Sequence, residues 1–180
     1  MSGRESVHCW AVIGYNFKSR LLFLLTEGQG KGFTQQKYEA QVLRGELGNI
    51  CTQKHEEKQL LGEFCCDEGY FVVEDGSRVH GKSNTRRNKG LCNKARVECY
   101  ITTIDWPPSP DPNPIENVWR ILKQRLRNRR PHGGWSLIEL KEAVQDIWEN
   151  EIRIEDFNQY IDSLPERLQL VRLRKGAQTH

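Results

Sequence analysis

The feature that most constrains this chain is the run Trp106-Pro107-Pro108-Ser109-Pro110-Asp111-Pro112-Asn113-Pro114. The four prolines before Pro114 fix φ and remove backbone donors, so neither a helix nor a central strand passes through the stretch. An extended connector is forced, and structure restarts after it. Asn113 is a good N-cap and Pro114 suits the first helical position, so the spacing predicts a helix opening there. Ile115, Val118, Trp119, Leu122 and Leu126 form its apolar stripe, while Glu116, Arg120, Lys123 and Arg127 line another face. Ser136 with Glu139 forms a capping box opening a second helix, with Leu137, Leu140, Val144, Ile147 and Trp148 turned inward. Two shorter helices are expected near Glu155–Ser163 and Pro165–Arg174.

Before the connector the pattern is mixed. Val7–Tyr15 alternates and is rich in β-branched and aromatic residues, and Arg20–Leu25 repeats the signal after a turn at Asn16–Ser19, predicting an antiparallel hairpin. Thr34 caps a helix expected to run to about Leu47, and residues 48–69 are polar and ambiguous. Tyr70–Glu74 reads as a short apolar strand ending at Asp75-Gly76. A basic helix is expected over His80–Val97, interrupted by Gly81 and Gly90, followed by a strand at Cys99–Ile104. The fold class expected is α/β: a mixed sheet flanked by helices, ending in an all-helical tail.

Charge is segregated. Seven basic residues and no acid lie between Gly76 and Val97, and six more, again without an acid, between Arg120 and Arg130. Glu139–Asp162 reverses the balance, with eight acids against Lys141 and Arg153. Such a distribution suits a basic face for a polyanion, with Arg86, Arg87, Lys89, Arg120, Lys123, Arg127, Arg129 and Arg130 as candidate nucleic-acid contacts; solvated helix faces are the alternative. The longest purely apolar run, Leu21–Leu25, excludes a spanning helix, so no membrane partner is expected. The N-terminus has no apolar stretch resembling a signal peptide. The six cysteines contain no Cys-x-x-Cys pair and read as reduced thiols rather than a disulfide framework or a zinc site.

Two carboxylates stand out by position. Asp75 sits where an apolar strand ends, the place where layered α/β sheets build sites, and Glu116 sits in the first turn of the Pro-delimited helix. If the 97–104 strand lies beside the 70–74 strand, the connector returns Glu116 over the same edge, and two converging carboxylates suit a hard divalent ion. Alternatively, Asp75-Gly76 is only a turn pair and Glu116 only completes a helix cap.

The run Ser109-Pro110-Asp111-Pro112-Asn113-Pro114-Ile115-Glu116-Asn117-Val118-Trp119 resembles the third catalytic block of mariner/Tc-type DDE transposases. Upstream, Phe71-Val72-Val73-Glu74-Asp75, followed five residues later by His80, resembles the block carrying the second acid. Val7–Tyr15 resembles the strand before it, so the likeness covers most of the chain from about Val7 to at least Trp148. The resemblance implies a ribonuclease-H-like fold over residues 1–150, with 151–180 as a helical C-terminal extension. It also implies DNA as partner, cut-and-paste transposition with Mg²⁺ (or Mn²⁺), a homodimer, and action in the nucleus of a eukaryotic cell. Asp75 carries over as the second metal ligand and Glu116 as the third.

The pattern also departs from the family. The first catalytic Asp is expected on a strand before the Val7–Tyr15 equivalent, which this chain starts too late to contain. The same strand is expected mid-sheet, so its absence leaves unpaired edges. Gly76 stands where Asn is common, and Pro112 where Leu is usual. The expected function is therefore that of a truncated transposase catalytic domain, inactive alone; were metal-dependent nicking found, Glu74 and Asp111 would be the first residues to test as the missing ligand. A non-catalytic DNA-binding or protein-interaction module on the same scaffold is the alternative.

Overall fold

A computed structural model describes residues 6–26, 32–62, 69–75, 77–81, 90–104, 113–132 and 134–173. The chain forms two compact units, one made of Met1–Phe23 with Ser109–His180 and the other of Leu24–Pro108. The arrangement is mixed α/β, mostly helical with short two-stranded sheets.

The first unit begins with the expected hairpin, built in two steps. β1 (Cys9–Trp10) pairs antiparallel with β4 (Leu22–Phe23), and β2 (Ile13–Gly14) with β3 (Phe17–Lys18). The reversal falls at Tyr15–Asn16 rather than Asn16–Ser19, because Asn16 takes a left-handed φ of 55° and so permits a tighter turn. Between the two pairings the return arm carries one more residue than the outgoing arm, a bulge within residues 19–21. Ser19 donates its backbone N–H to the Val12 carbonyl at 2.9 Å, and its hydroxyl accepts from Val12 N at 3.0 Å. Its own carbonyl is thereby freed to accept from buried Trp148 Nε1 at 2.9 Å.

The helices of this unit follow the sequence closely. α4 (Pro114–Arg129) opens with Asn113 Oδ1 accepting from Ile115 N and with Pro114 in its first turn. The capping box of Ser136 and Glu139 opens α5 (Leu137–Asp146), which widens into a π turn over Ile147–Glu151. α6 (Ile154–Asp162) and α7 (Leu164–Leu173) complete the tail. Val118 and Leu122 of α4 join Val144, Ile147, Trp148, Ile152, Phe157, Ala11 and Leu21 in one core. Fully burying side chains such as Ile147 or Phe157 contributes roughly 1.5–3 kcal/mol each. Leu137, expected inward, is exposed at the start of α5, ahead of the turns that meet the core. Lys18 fastens the hairpin to these helices by donating its ammonium to the carbonyls of Trp148 at 2.6 Å and Ile152 at 2.7 Å.

In the second unit Thr34 caps α1 (Gln35–Tyr38), as expected from the sequence, its hydroxyl accepting from Lys37 N. The helix continues over Glu39–Glu46 but kinks at Gly45, whose φ of −92° and ψ of −117° are not helical, and α2 (Leu47–Leu60) begins just beyond, so the end expected near Leu47 falls at the kink. Beyond Cys51 no α2 residue is buried, so the periodicity that would have announced this second helix is missing. Gly48 is required where α2 starts: a Cβ there would stand 2.2 Å from the Leu43 carbonyl oxygen and 2.9 Å from Cys99 Sγ.

β5 (Tyr70–Val73) and β6 (Ile101–Ile104) pair in parallel, with Tyr70 opposite Ile101 and Val73 opposite Ile104. α3 (Leu91–Glu98) lies between them in sequence, making a βαβ unit. Of the basic helix expected over His80–Val97, residues 82–89 lie outside the described residues. Arg78–His80 forms a single 3₁₀ turn, closed by Gly81 at φ +71°, and α3 starts after Gly90 at φ +100°. Left-handed glycines interrupt a right-handed helix, which is why it breaks at both.

Candidate functional site

Asp75 stands just beyond the carboxyl end of β5, and the 97–104 strand does lie beside it, as β6. Its carboxylate closes a tight turn by accepting from Ser77 N at 2.8 Å. It also meets His80 Nδ1 at 3.0 Å, and the same ring nitrogen lies 3.1 Å from the Asp75 carbonyl. The Asp75 side chain is 56% exposed whereas that of His80 is only 13% exposed, so the imidazole backs the carboxylate from the protein side. Burial works against a charged imidazole here. The hydrogen bonds to the Asp75 carboxylate and carbonyl outweigh it, with Glu74 adding to them, and His80 is raised above its ordinary value.

Glu74, one residue earlier, points the other way and is buried. Tyr38 OH donates to its Oε1 at 2.6 Å, and Arg96 Nη2 pairs with its Oε2 at 2.7 Å. Burial first, and then the neighbouring Glu74 charge, push the Tyr38 phenol far above its ordinary range, so it stays a donor. Both oxygens of the carboxylate are thus engaged inside the protein, by a phenol and a guanidinium. The sequence carried one hint of the cluster, a Glu prolonging an apolar strand. Its partners lie 36 and 22 residues away and were not readable.

Glu116 lies in the first turn of α4 in the other unit, exposed, as the sequence placed it. The helix cap is made by Asn113, and among the described residues no side chain hydrogen-bonds or pairs with the Glu116 carboxylate. Arg120, Lys123 and Arg127 continue from it along one face at helical spacing. Their described bonds are local: Arg120 to Asn117 Oδ1 at 3.2 Å, and Arg127 Nε to the Lys123 carbonyl at 3.2 Å.

The other basic residues of α4 and its end are occupied. Arg125 pairs with Asp156 at 3.2 Å and Glu151 at 3.7 Å, and Arg129 with both Asp146 and Glu151. Arg130 pairs with Glu139 at 3.2 Å and stacks its guanidinium over the Trp135 ring at 4.6 Å. Hydrogen bonds from Arg129 and Asn150 hold the Asp146 carboxyl below the usual range. The acid block at 139–162 is thus the internal partner of half of the basic block at 120–130. Arg86, Arg87 and Lys89 lie outside the described residues, as do Asp111 and most of the proline connector.

The donor chemistry of Asp75 and Glu116, two exposed carboxylates, suits a hard divalent ion. Among the described residues no group of three or more His, Cys, Asp or Glu side chains is assembled to hold one. Among the described residues Cys51 and Cys92 are buried and free, and Cys9 and Cys99 are free and half-buried. No helix among the described residues is long and apolar enough to cross a membrane.

Comparison with known proteins adds an independent line. The chain is 32% identical over 81 residues to the transposable element Tcb2 transposase of Caenorhabditis briggsae, covering 44% of this chain and 28% of that protein. It is 33% identical over 73 residues to the transposable element Tc1 transposase of Caenorhabditis elegans, covering 40% of this chain and 25% of that protein. The relationship is to Tc1-type transposases. The matched stretch spans about a quarter of each relative's length. No protein-family model matches the chain.

Proposed function

We propose that this chain is part of a Tc1-type transposase catalytic domain of ribonuclease-H-like fold. On this reading it holds DNA along the Arg120–Lys123–Arg127 stripe and contributes Asp75 and Glu116 as the second and third carboxylates of a Mg²⁺ (or Mn²⁺) centre. The observation that supports this most is the parallel pairing of β5 with β6, which leaves Asp75 just past the carboxyl end of the first strand of a βαβ unit. The transposase likeness is the reason for preferring a ligand role at that position to a plain turn.

A bound divalent ion supplies charge for a developing phosphate oxyanion and lowers the pKa of an attacking water. The chain's own residues do the rest. Asp75, backed by His80 and Ser77 N, presents an oriented carboxylate, and Glu116 presents another at the head of a cationic stripe. The stripe attracts the phosphate backbone without reading sequence. Two carboxylates of a three-carboxylate centre do not fix both metals, so these 180 residues alone bind DNA and leave it intact.

Gel shift and a nicking assay on supercoiled DNA with Mg²⁺ or Mn²⁺ test this, with Asp75→Ala and Glu116→Ala beside the parent. Expected are salt-sensitive binding, no nicking, and binding by Glu116→Ala that is unchanged or slightly tighter. Lack of binding even at low salt overturns the DNA-holding role. Metal-dependent nicking abolished by both substitutions overturns the need for a third acid. Fe²⁺-promoted backbone scission checks the ligands directly: cuts are expected beside residues 75 and 116, and their absence at both removes the metal from the reading.

A further inference from the structure

Arg96 is almost wholly buried, yet it is the group on which the segment carrying Asp75 converges. Its Nη2 donates both to Glu74 Oε2 at 2.7 Å and to the His80 carbonyl, while Nη1 donates to Asn93 Oδ1 at 3.0 Å. The residues before and after Asp75 in the turn are therefore tied to one guanidinium. Tyr38 closes the assembly from α1, donating to Glu74 at 2.6 Å and laying its ring 4.5 Å from the His80 ring. Gly81 follows at φ +71°, packed so that a Cβ would stand 3.0 Å from both Cβ and Sγ of Cys92 on α3.

A buried Arg–Glu pair is a poor way to gain stability, because desolvation roughly cancels the attraction and well-packed apolar side chains do as well or better. What a planar, multi-donor guanidinium adds is geometry: it fixes two acceptors relative to each other as an aliphatic side chain cannot. We propose that Arg96 is a positioning residue, which holds the Glu74 carboxylate and the His80 carbonyl in register so that His80 Nδ1 is aimed at the Asp75 carboxylate. The proposal rests on the reading of Asp75 as a metal ligand for its consequence, but the aiming of His80 stands apart from it. Arg96 touches no reacting group; it acts through His80 on Asp75. Such outer partners of a ligand commonly change metal affinity by about 10–100-fold when removed.

The test compares the parent chain with the triple variant Tyr38→Phe, Glu74→Leu, Arg96→Met, which replaces the cluster with apolar groups and leaves no buried charge unpaired. Two quantities are read by NMR: the hydrogen-bonded His80 Nδ1–H resonance, and broadening of signals around Asp75 by Mn²⁺ alone. The variant is expected to keep its folded spectrum, lose the His80 resonance, and bind Mn²⁺ about 10–100-fold more weakly. A folded variant that retains both overturns the proposal and makes Arg96 core filling only. If the parent shows the resonance but no Mn²⁺ broadening near Asp75, the metal reading fails, while the resonance comparison still decides the role of Arg96. If the triple variant does not fold, Arg96→Lys carries the same test. It keeps a paired cation but not the fork, so loss of the resonance supports the proposal and full retention overturns it.

Discussion

The six basic residues between Arg120 and Arg130 predict two different salt dependences for DNA binding, depending on whether charge is counted in the sequence or in the structure. If all six met phosphates, each would contribute about −0.9 to the slope of log K against log salt, or roughly −5.4 in total. The structure pairs Arg125, Arg129 and Arg130 with Asp146, Glu151, Asp156 and Glu139, so on the proposed reading Arg120, Lys123 and Arg127 are the ones that meet phosphate. The α4 share of the slope is then about −2.7, and raising salt from about 50 to 200 mM weakens that share about 40-fold rather than about 2,000-fold. Arg120→Gln, Lys123→Gln and Arg127→Gln together should flatten the measured slope by about 2.7. Arg125→Gln, Arg129→Gln and Arg130→Gln together should change it by less than about 1 and lower the melting temperature instead. Fluorescence anisotropy of a labelled duplex across a salt series, with melting curves alongside, gives both readings. The reasoning is refuted if the second triple flattens the slope as much as the first. That result would mean DNA phosphates displace the internal acids, which is a fair challenge, since exposed single ion pairs are weak; here Arg129 engages two carboxylates at once.

Other outcomes follow from single contacts. Gly48→Ala should destabilise the second unit by about 1–3 kcal/mol, since its Cβ would press on the Leu43 carbonyl and Cys99 Sγ; a shifted urea midpoint checks it. Glu139 is held down to about 2 by hydrogen bonds from Ser136 and then Arg130, so the folded state binds its proton less readily than the unfolded chain. Its contribution is complete above the ordinary glutamate value, falls as pH drops and is gone near pH 2; melting curves in acid should show this, and Glu139→Gln should flatten that part of the profile. Burial pushes the thiols of Cys9 and Cys51 up to about 11, so brief iodoacetamide treatment at mildly alkaline pH should spare both in the native chain and modify both after denaturation, as read by peptide mass.

What the sequence alone determined is whatever depends on neighbours within a turn or two. Asn113 with Pro114, the stripe from Ile115 to Leu126, and Ser136 with Glu139 each declare a helix start and its apolar side, because caps and amphipathic faces are satisfied locally. Asp75 at a strand end and Glu116 in a first turn were legible for the same reason. Gly81 and Gly90 were visible as helix breakers, and both take left-handed φ. Tertiary structure decided everything that needs a partner from elsewhere in the chain. Only folding matches the Ser19 carbonyl to Trp148, Lys18 to the end of the π turn, and Arg129 to Asp146 and Glu151. Only the parallel register of β5 and β6, with helices from either side in sequence, brings Tyr38 and Arg96 onto Glu74 and makes it a buried anchor instead of a second surface acid. The reason is physical: a carboxylate's role is set by its burial and by the charge beside it, and neither is defined until distant segments meet.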